Sequence, residues 1–175
     1  MISENIFTNF TSTDAQILDS GARRTFDTGC VRDIADGKGR CDLLALEEVG
    51  VLVSDEILED IGKYVRTGVQ AFIYRAMRTF IEAYYDDTYT ALLELSLHYE
   101  AGAMKYSDRN WEKGMPLHCF VDSGVRHYLK SMRGDKDEPH DRAFLWNMLG
   151  LIWTHNNHPE LIDLPFEKGS SNDER

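Results

Sequence analysis

The side chains with the clearest chemical potential lie between Glu94 and Trp153, where charged residues interrupt helical apolar spacing. Within this stretch Glu138 and Asp141 are three residues apart, so they share one face if they lie on one helix. Hard carboxylate oxygens are the ligands that Mg²⁺ prefers. Two acids at a helix N-terminus also complement the helix dipole. The E-x-x-D spacing therefore fits half of a divalent-cation site and equally fits an ordinary helix start.

Glu94 and His98 form a second candidate pair on a helix predicted over about 88 to 104. At about 100° per residue these two side chains fall on one face, whereas Glu100 points away from both. A buried glutamate needs a cation or a donor, because an unpaired one costs several kcal/mol. Structural pairing of Glu94 with His98 or a nearby arginine is the ordinary explanation of such a residue.

The segment KYSDRNWEKGMP, residues 105–116, is predicted to be a loop that carries cations, an amide and an aromatic side chain. Trp111 can stack on a base, Asn110 can read its edge, and Lys105 or Lys113 can reach a phosphate. Trp111 can equally pin the loop to the core. Residue spacing leaves both interpretations open.

A predicted helix over about 117 to 132 carries a stripe of charges at i, i+4 or i+3 spacing. The stripe consists of Asp122, Arg126, Lys130 and Arg133, and Ser123 and His127 form a neighbouring pair. An exposed face with salt bridges is the ordinary explanation of such a stripe.

Near the N-terminus, Gly37-Lys38-Gly39-Arg40 can bring backbone amides and two cations to a phosphate. The P-loop spacing G-x-x-x-x-G-K-[ST] is not present there. A charged surface loop is the alternative.

Capping residues and apolar spacing predict the helices that position these side chains. Ser54 is predicted as the N-cap of a first helix that ends at Gly68. Apolar residues over 69–85 recur at i, i+3, i+4 and i+7, which predicts a core helix. Asp87 or Thr88 is predicted to cap the third helix.

The third and fifth helices are the most apolar. The third helix carries leucines around much of its circumference, so we expect burial on several sides. The fifth is predicted to begin at Asp137 as N-cap, with Pro139 in its first turn. Asn147 and His140, seven residues apart, must find buried partners there. We predict an all-α fold, a bundle of about five helices with an irregular N-terminal arm.

The length of 175 residues suits one buried core. We expect a flexible or partner-docked arm over 1–22, a single domain over 23–166 and a frayed tail over 167–175.

The net charge of −11 disfavours nucleic-acid binding, which rests on basic surfaces. Three cysteines without a C-x-x-C spacing favour a reduced, cytoplasmic setting. We see neither a signal peptide nor an apolar run that reaches a membrane span.

Three strings, in this order, resemble phage and bacterial proteins of the dATP/dGTP diphosphohydrolase domain family, relatives of the MazG-like all-α pyrophosphohydrolases. The strings are TFDTGCVRDIADGKGRCDLL, HYEAGAMKYSDRNWEKGMPLH and DSGVRHYLKSMRGDKDEPHDRAFLWNML. The resemblance covers residues 23–49 and 91–153, and a helical segment over about 53–85 looks like an insertion relative to shorter members.

The resemblance implies hydrolysis of a purine (deoxy)nucleoside triphosphate, dGTP or dATP, to monophosphate and pyrophosphate with Mg²⁺ or Mn²⁺. It implies catalytic roles for His127 and Lys105. Substrate binding is expected from Arg32, Lys38, Arg40, Asn110, Trp111, Arg126, Lys130 and Asn147. Metal binding is expected from Glu94, Glu100, Glu138 and Asp141.

One departure from the family pattern affects the metal ligands. MazG-like enzymes carry E-x-x-E on one helix and E-x-x-D on the next, and Glu138-x-x-Asp141 matches only the second. Glu94 with His98, Glu100 or Asp122 would have to replace the first. A non-catalytic protein that binds or sequesters a nucleotide is therefore the alternative function. The resemblance also implies a homo-oligomer.

Overall fold

Six α-helices follow a short β hairpin through residues 21–167, the part of the chain that the computed structural model describes. The helices are α1 (Leu46–Val53), α2 (Glu56–Thr67), α3 (Ala71–Tyr84), α4 (Thr88–Lys105), α5 (Leu117–Arg133) and α6 (His140–Asn157). The hairpin pairs β1 (Arg23–Thr25) with β2 (Val31–Asp33) in antiparallel register. Short 3₁₀ turns lie at Cys41–Leu43, Asn110–Lys113 and Pro159–Leu161. The all-α prediction is confirmed, whereas most of the predicted arm (residues 1–20) and tail (168–175) lies outside the described residues.

The helix boundaries follow local capping chemistry, with one predicted cap misplaced. Asp87 accepts hydrogen bonds from two backbone N–H groups at the start of α4, as predicted. Gly68 ends α2 with a φ of 73°, as predicted. Asp55, and not Ser54, caps the start of α2. Ser54 instead ends α1 in the left-handed region, with a φ of 57°.

Three further features differ from the prediction. Helix α1 and the β hairpin were not predicted, because elements of eight and three residues are too short to show a clear period. Helix α6 begins at His140, so Asp137 is not its N-cap and Glu138 lies in the preceding loop.

The core forms where α5 and α6 pack together and α3 covers them. Phe80 of α3 meets Phe144 of α6 with ring centroids 4.7 Å apart. Phe120 of α5 packs against the backbone of Gly150, where a side chain would clash with its ring. These contacts bury most of α6 within one chain. Within residues 21–167, no helix is both long and apolar enough to cross a membrane.

Helix α4 is more exposed in the single chain than its composition predicts. Only Ala91 and Leu95 are buried. Tyr89 and Leu93 are 80% and 71% exposed, and Leu92 is half exposed. Spacings of three and four residues place the three exposed side chains on one face. The predicted burial on several sides is therefore not found within one chain.

Candidate functional site

A cavity of about 770 Å³ opens between the β hairpin and the helical core. Its walls come from β2, the C-terminal half of α4, the segment 106–112, one face of α5 and the middle of α6. This volume lies within the usual range of small-molecule sites, about 300–1,000 Å³. Seven of the eight predicted substrate-binding residues line the cavity: Arg32, Lys38, Asn110, Trp111, Arg126, Lys130 and Asn147. Arg24, which was not predicted, lines it as well.

Arg32 is a partly buried cation whose hydrogen-bond partners are all neutral. Its Nη2 donates to Ser123 Oγ and to Asn147 Oδ1, both over 2.9 Å. Its Nη1 donates to the carbonyl of Cys119 over 3.4 Å, and the guanidinium lies 5.3 Å from the ring centroid of Trp146. Burial lowers the pKa of Arg32 from its ordinary value. A partly buried guanidinium without a carboxylate partner attracts an anionic ligand.

Arg24 stands directly opposite Arg32 in the hairpin and lines the same cavity. Its Nη2 donates to Cys119 Sγ over 3.3 Å. Its buried Nε has no hydrogen-bond partner among the described residues. Neither arginine forms an ion pair within residues 21–167. Directly opposed residues of two paired strands carry their side chains on the same face of the hairpin. Because the hairpin was not predicted, the pairing of Arg24 with Arg32 was missed.

Asn147 is a buried hydrogen-bond partner of the Arg32 side chain. Its Oδ1 accepts from Arg32, and its Nδ2 donates to the carbonyl of Ala143 over 2.7 Å. These two bonds fix the orientation of the amide. The predicted need for a buried partner at Asn147 is confirmed.

Lys105 does not line the cavity, but it forms an ion pair with Asp33, which does. Its Nζ lies 2.8 Å from Asp33 Oδ2, and the Tyr106 hydroxyl donates to Asp33 Oδ1 over 3.0 Å. Burial and the Asp33 carboxylate raise the pKa of Tyr106 above its ordinary value. Asp33 and Tyr106 line the cavity, whereas Lys105 neutralises Asp33 from outside it.

Asn110 and Trp111 both hold the 3₁₀ turn in place. Asn110 Oδ1 accepts from the backbone N–H of Val31 over 3.0 Å, and its Nδ2 donates to the Val31 carbonyl over 2.9 Å. Trp111 packs edge to face against Tyr99 and Trp153. The two side chains therefore fasten the hairpin and the turn to the core while presenting surface to the cavity.

Arg126 of α5 contacts the loop formed by Gly37–Arg40, which we call the glycine-rich loop. It forms an ion pair with Asp122 and donates to the carbonyls of Lys38 and Gly39 over 3.2 and 3.0 Å. Asp122 also accepts from the backbone N–H of Cys41 over 2.7 Å. The loop thus turns carbonyls, not amides, toward Arg126.

The two cations of this loop have different surroundings. Lys38 lines the cavity. Arg40 binds both carboxylate oxygens of Asp42 and does not line it. Only Lys38 of this pair faces the same space as Arg32.

Two of the four predicted metal ligands lie away from the cavity. Glu94 forms an ion pair with Arg142, which matches the structural alternative for this residue. Asp141 accepts a hydrogen bond from the Tyr85 hydroxyl over 2.6 Å. Neither residue lines the cavity.

Glu100 and Glu138 do line the cavity, but they belong to different walls. Glu100 is exposed on α4. Glu138 lies beside two histidines, with its Oε1 3.6 Å from the Nδ1 atoms of both His127 and His140. The four predicted carboxylates therefore do not converge on one all-oxygen Mg²⁺ site.

His127 and His140 complete this cluster, with their Nδ1 atoms 3.0 Å apart. His127 lines the cavity, and burial lowers its pKa well below the ordinary value, so the imidazole is neutral at neutral pH. His140 Nε2 contacts Asp137 Oδ1 over 2.7 Å. Asp137 also pairs with Lys130 over 2.9 Å. His140 was predicted only to need a buried partner, because its proximity to His127 is a tertiary contact.

His98 is a second neutral imidazole on the cavity wall. Burial, with the charges of Arg32 and Arg142, lowers the pKa of His98 to about 4. Its buried Nδ1 has no hydrogen-bond partner among the described residues. It can accept or donate one hydrogen bond to a ligand without carrying charge.

Comparison with known proteins gives one family match, which covers the C-terminal part of the site. Residues 88–164 match the family described as dATP/dGTP diphosphohydrolase, N-terminal. The match spans α4, the 3₁₀ turn at Asn110–Lys113, α5 and α6, whereas the hairpin lies outside it. A search of curated proteins found no match. A search of solved structures also found none. The predicted resemblance to the dATP/dGTP diphosphohydrolase family is therefore confirmed over residues 88–164.

Proposed function

We propose that this protein hydrolyses a purine deoxynucleoside triphosphate, dGTP or dATP, to the monophosphate and pyrophosphate within the cavity. The observation that carries the proposal is the pair formed by Arg24 and Arg32, two guanidinium groups without carboxylate partners on the wall of a nucleotide-sized cavity. The family matched by residues 88–164 is described as dATP/dGTP diphosphohydrolase, N-terminal, which supports the proposal. Charge, volume and family thus favour one substrate class.

The triphosphate is assigned to the hairpin side of the cavity. Arg24, Arg32 and Lys38 supply positive charge there, and guanidinium groups match phosphate oxygens in a two-point geometry. Such preorganised cations stabilise the charge that develops on phosphate oxygens as the bond to the leaving group breaks. Arg126 and Lys130 are already paired with carboxylates, so they contribute less free charge.

The base is assigned to the aromatic side of the cavity. Trp111, Tyr99 and Trp146 line that wall, and their rings offer apolar surface against which a purine can pack. Asn110 already bonds the backbone of Val31 with both ends of its amide. Base recognition is therefore assigned to the aromatic rings and not to the Asn110 amide.

Of the two predicted catalytic residues, only His127 faces the cavity. A neutral imidazole within reach of the substrate can accept a proton from the attacking water. Lys105 is held by Asp33, so no proton transfer is assigned to it. We assign water activation to the wall formed by His127 and Glu138.

We propose Mg²⁺ or Mn²⁺ as the cofactor, since enzymes that cleave triphosphates normally use a divalent ion to neutralise the phosphate charge. The carboxylates predicted to hold it do not converge, so no step is assigned to an ion bound by those four groups.

We also propose a homo-oligomer that covers the exposed face of α4, and a cytoplasmic location in a bacterial or phage-infected cell.

The experiment is incubation of the purified chain with each canonical nucleoside triphosphate in Mg²⁺ and in Mn²⁺, with separation of pyrophosphate from orthophosphate. The proposal expects pyrophosphate and monophosphate in equal amounts, with purine deoxynucleotides turned over fastest. Absence of pyrophosphate with every nucleotide and both cations would refute hydrolysis.

A non-catalytic nucleotide-binding protein is the second candidate, and the dispersed carboxylates favour it. Titration with a non-hydrolysable dGTP analogue separates the two functions. Saturable binding that Arg32→Gln abolishes, together with no turnover of dGTP, would support sequestration over hydrolysis.

A further inference from the structure

A cluster of two imidazoles and one carboxylate lies on the cavity wall between α5 and the start of α6. Its members are His127, Glu138 and His140, and their nearest ligand atoms all lie within 4.8 Å of one another. The cluster joins residues from α5, the following loop and the first residue of α6. Glu138 and His140 are two residues apart, whereas His127 is thirteen residues from His140 and meets them only through tertiary packing.

We infer that His127, Glu138 and His140 bind a divalent first-row transition-metal ion, with Zn²⁺ or Co²⁺ preferred over Mg²⁺. The donor set is two nitrogens and one oxygen, and imidazole suits Zn²⁺ and its neighbours whereas Mg²⁺ prefers oxygen ligands. The inference concerns an ion bound by the protein and does not depend on the proposed hydrolysis. With an ion bound, His127 Nδ1 and the Glu138 carboxylate would coordinate it, so their role as proton acceptors belongs to the ion-free protein.

The spacing of the three atoms fits a tetrahedral ion. The edges of the triangle are 3.0 Å between the two Nδ1 atoms and 3.6 Å from each of them to Glu138 Oε1. Bonds of about 2.0–2.2 Å from a tetrahedral Zn²⁺ place neighbouring ligand atoms about 3.4 Å apart. The observed edges lie on both sides of that value, so small side-chain rotations suffice.

His140 has a carboxylate hydrogen-bond partner of the kind that orients metal-binding histidines. His140 Nε2 lies 2.7 Å from Asp137 Oδ1, so the Nε2–H donates to Asp137 and the Nδ1 lone pair points toward the cluster. Lys130 in turn holds the other carboxylate oxygen of Asp137. A carboxylate behind a histidine in this way fixes the tautomer and orientation of a metal-binding imidazole.

Glu138 supplies an independent reason for a cation. Its side chain is 14% exposed, and its carboxylate has no lysine or arginine partner within residues 21–167. Both histidine contacts, at 3.6 Å, exceed hydrogen-bond length. A hydrogen bond between the two histidines alone would leave this carboxylate without a partner in a largely buried place, which is costly. A divalent ion satisfies all three groups.

The position of the cluster leaves one coordination site toward the cavity. His127 and Glu138 line the cavity, whereas His140 lies behind them. Three protein ligands with one open position are typical of catalytic and not of structural zinc sites. An anionic ligand in the cavity can therefore reach the ion directly.

Metal binding is tested on the full, tag-free chain after treatment with a chelator and dialysis. We expect calorimetric titration with Zn²⁺ or Co²⁺ to give one ion per chain, and Co²⁺ to give the visible absorption of a tetrahedral or five-coordinate ion. A large excess of Mg²⁺ should not displace it. No binding, or equal competition by Mg²⁺, would overturn the inference.

Variants separate this site from adventitious histidines. Glu138→Gln and His127→Gln should each weaken Co²⁺ binding at least tenfold, and Asp137→Asn by about 10–100-fold through the supporting contact. His118→Gln, which removes a histidine remote from the cluster, is the matched control and should bind as wild type does. Circular dichroism confirms folding of each variant. Unchanged affinity in folded Glu138→Gln and His127→Gln would refute the site, whatever the outcome of the nucleotide assay.

Discussion

Arg24 and Arg32 face each other across the β hairpin and converge on Cys119 of α5. Arg24 donates to the Cys119 sulfur over 3.3 Å, and Arg32 donates to the Cys119 carbonyl over 3.4 Å. Neither guanidinium finds a carboxylate within residues 21–167. Two like charges held side by side in a cavity wall repel each other, so the pair is most stable when an anion lies between them.

The first prediction concerns Asn147→Asp. The new carboxylate would lie against Arg32 Nη2, where the amide oxygen now accepts over 2.9 Å, and would neutralise the charge that attracts phosphate. We expect a non-hydrolysable dGTP analogue to bind at least about tenfold more weakly, equivalent to about 1.4 kcal/mol. Calorimetry measures the change.

Asn157→Asp is its matched control, because it adds the same charge at the exposed end of α6, outside the cavity. Equal losses of affinity in both variants would mean that overall charge, and not Arg32, governs binding.

A second prediction tests how the glycine-rich loop is held. Asp122 is buried, pairs with Arg126 and accepts from the Cys41 backbone. Removal of one member of a buried ion pair costs about 3–5 kcal/mol, so Asp122→Ala should lower the free energy of unfolding by about that amount. Urea denaturation followed by circular dichroism gives the value. Asp135→Ala, which breaks the exposed pair with Arg133, should cost less than about 1 kcal/mol.

The third prediction concerns the close contact between α1 and α2. A Cβ atom at Gly62 would lie 2.2 Å from the backbone nitrogen of Glu47, so Gly62→Ala must push the two helices apart. Overpacking of this kind costs about 1–3 kcal/mol or more. Gly102→Ala on α4 meets nothing within 4 Å and should stabilise the helix by about 0.5–1 kcal/mol. Thermal denaturation that ranks the two variants in the opposite order would contradict the packing described for α1 and α2.

The fourth prediction concerns pH. Hydrogen bonds to Cys119 and Asp163 raise the pKa of His118 to about 9, from an unfolded value of about 6.5. The folded state thus holds this proton more tightly, and the stabilisation is fully present below about pH 6.5 and lost as the pH rises toward 9. Urea denaturation at pH 6 and pH 9 measures the loss. Asp163→Asn should reduce this pH dependence, and an unchanged dependence in the variant would reject the assignment.

The fifth prediction concerns assembly through α4. Tyr89, Leu92 and Leu93 form an apolar face that one chain leaves exposed. A charge placed there should disfavour its burial against a second copy, so Leu93→Glu should be a monomer near 20.1 kDa while the wild type is larger. Light scattering after size exclusion reports the mass. Leu52→Glu, at an equally exposed site on α1, should assemble normally; dissociation by Leu52→Glu alone would place the interface on α1 instead.

Local chemistry in the sequence determined much of the helical framework. Asp87 and Gly68 set helix ends through capping bonds and a positive φ, which depend only on neighbouring residues. Apolar periodicity likewise predicted α3, and the helix predicted over about 117 to 132 with its stripe of charges matches α5 closely. The start of α6 was misplaced because Asp137 bonds His140 and Lys130 through its side chain instead of capping the helix.

The tertiary structure decided which polar groups share a site. In the sequence Glu138 and Asp141 look like one pair, but packing directs Asp141 to Tyr85 and Glu138 to His127 and His140. Arg32 and Asn147 are 115 residues apart and meet only when the hairpin docks on α6. Residue types and local spacing thus determined the helices and the kinds of chemistry available. Long-range packing alone determined which charges remained without partners, because that depends on every side chain within a few ångströms.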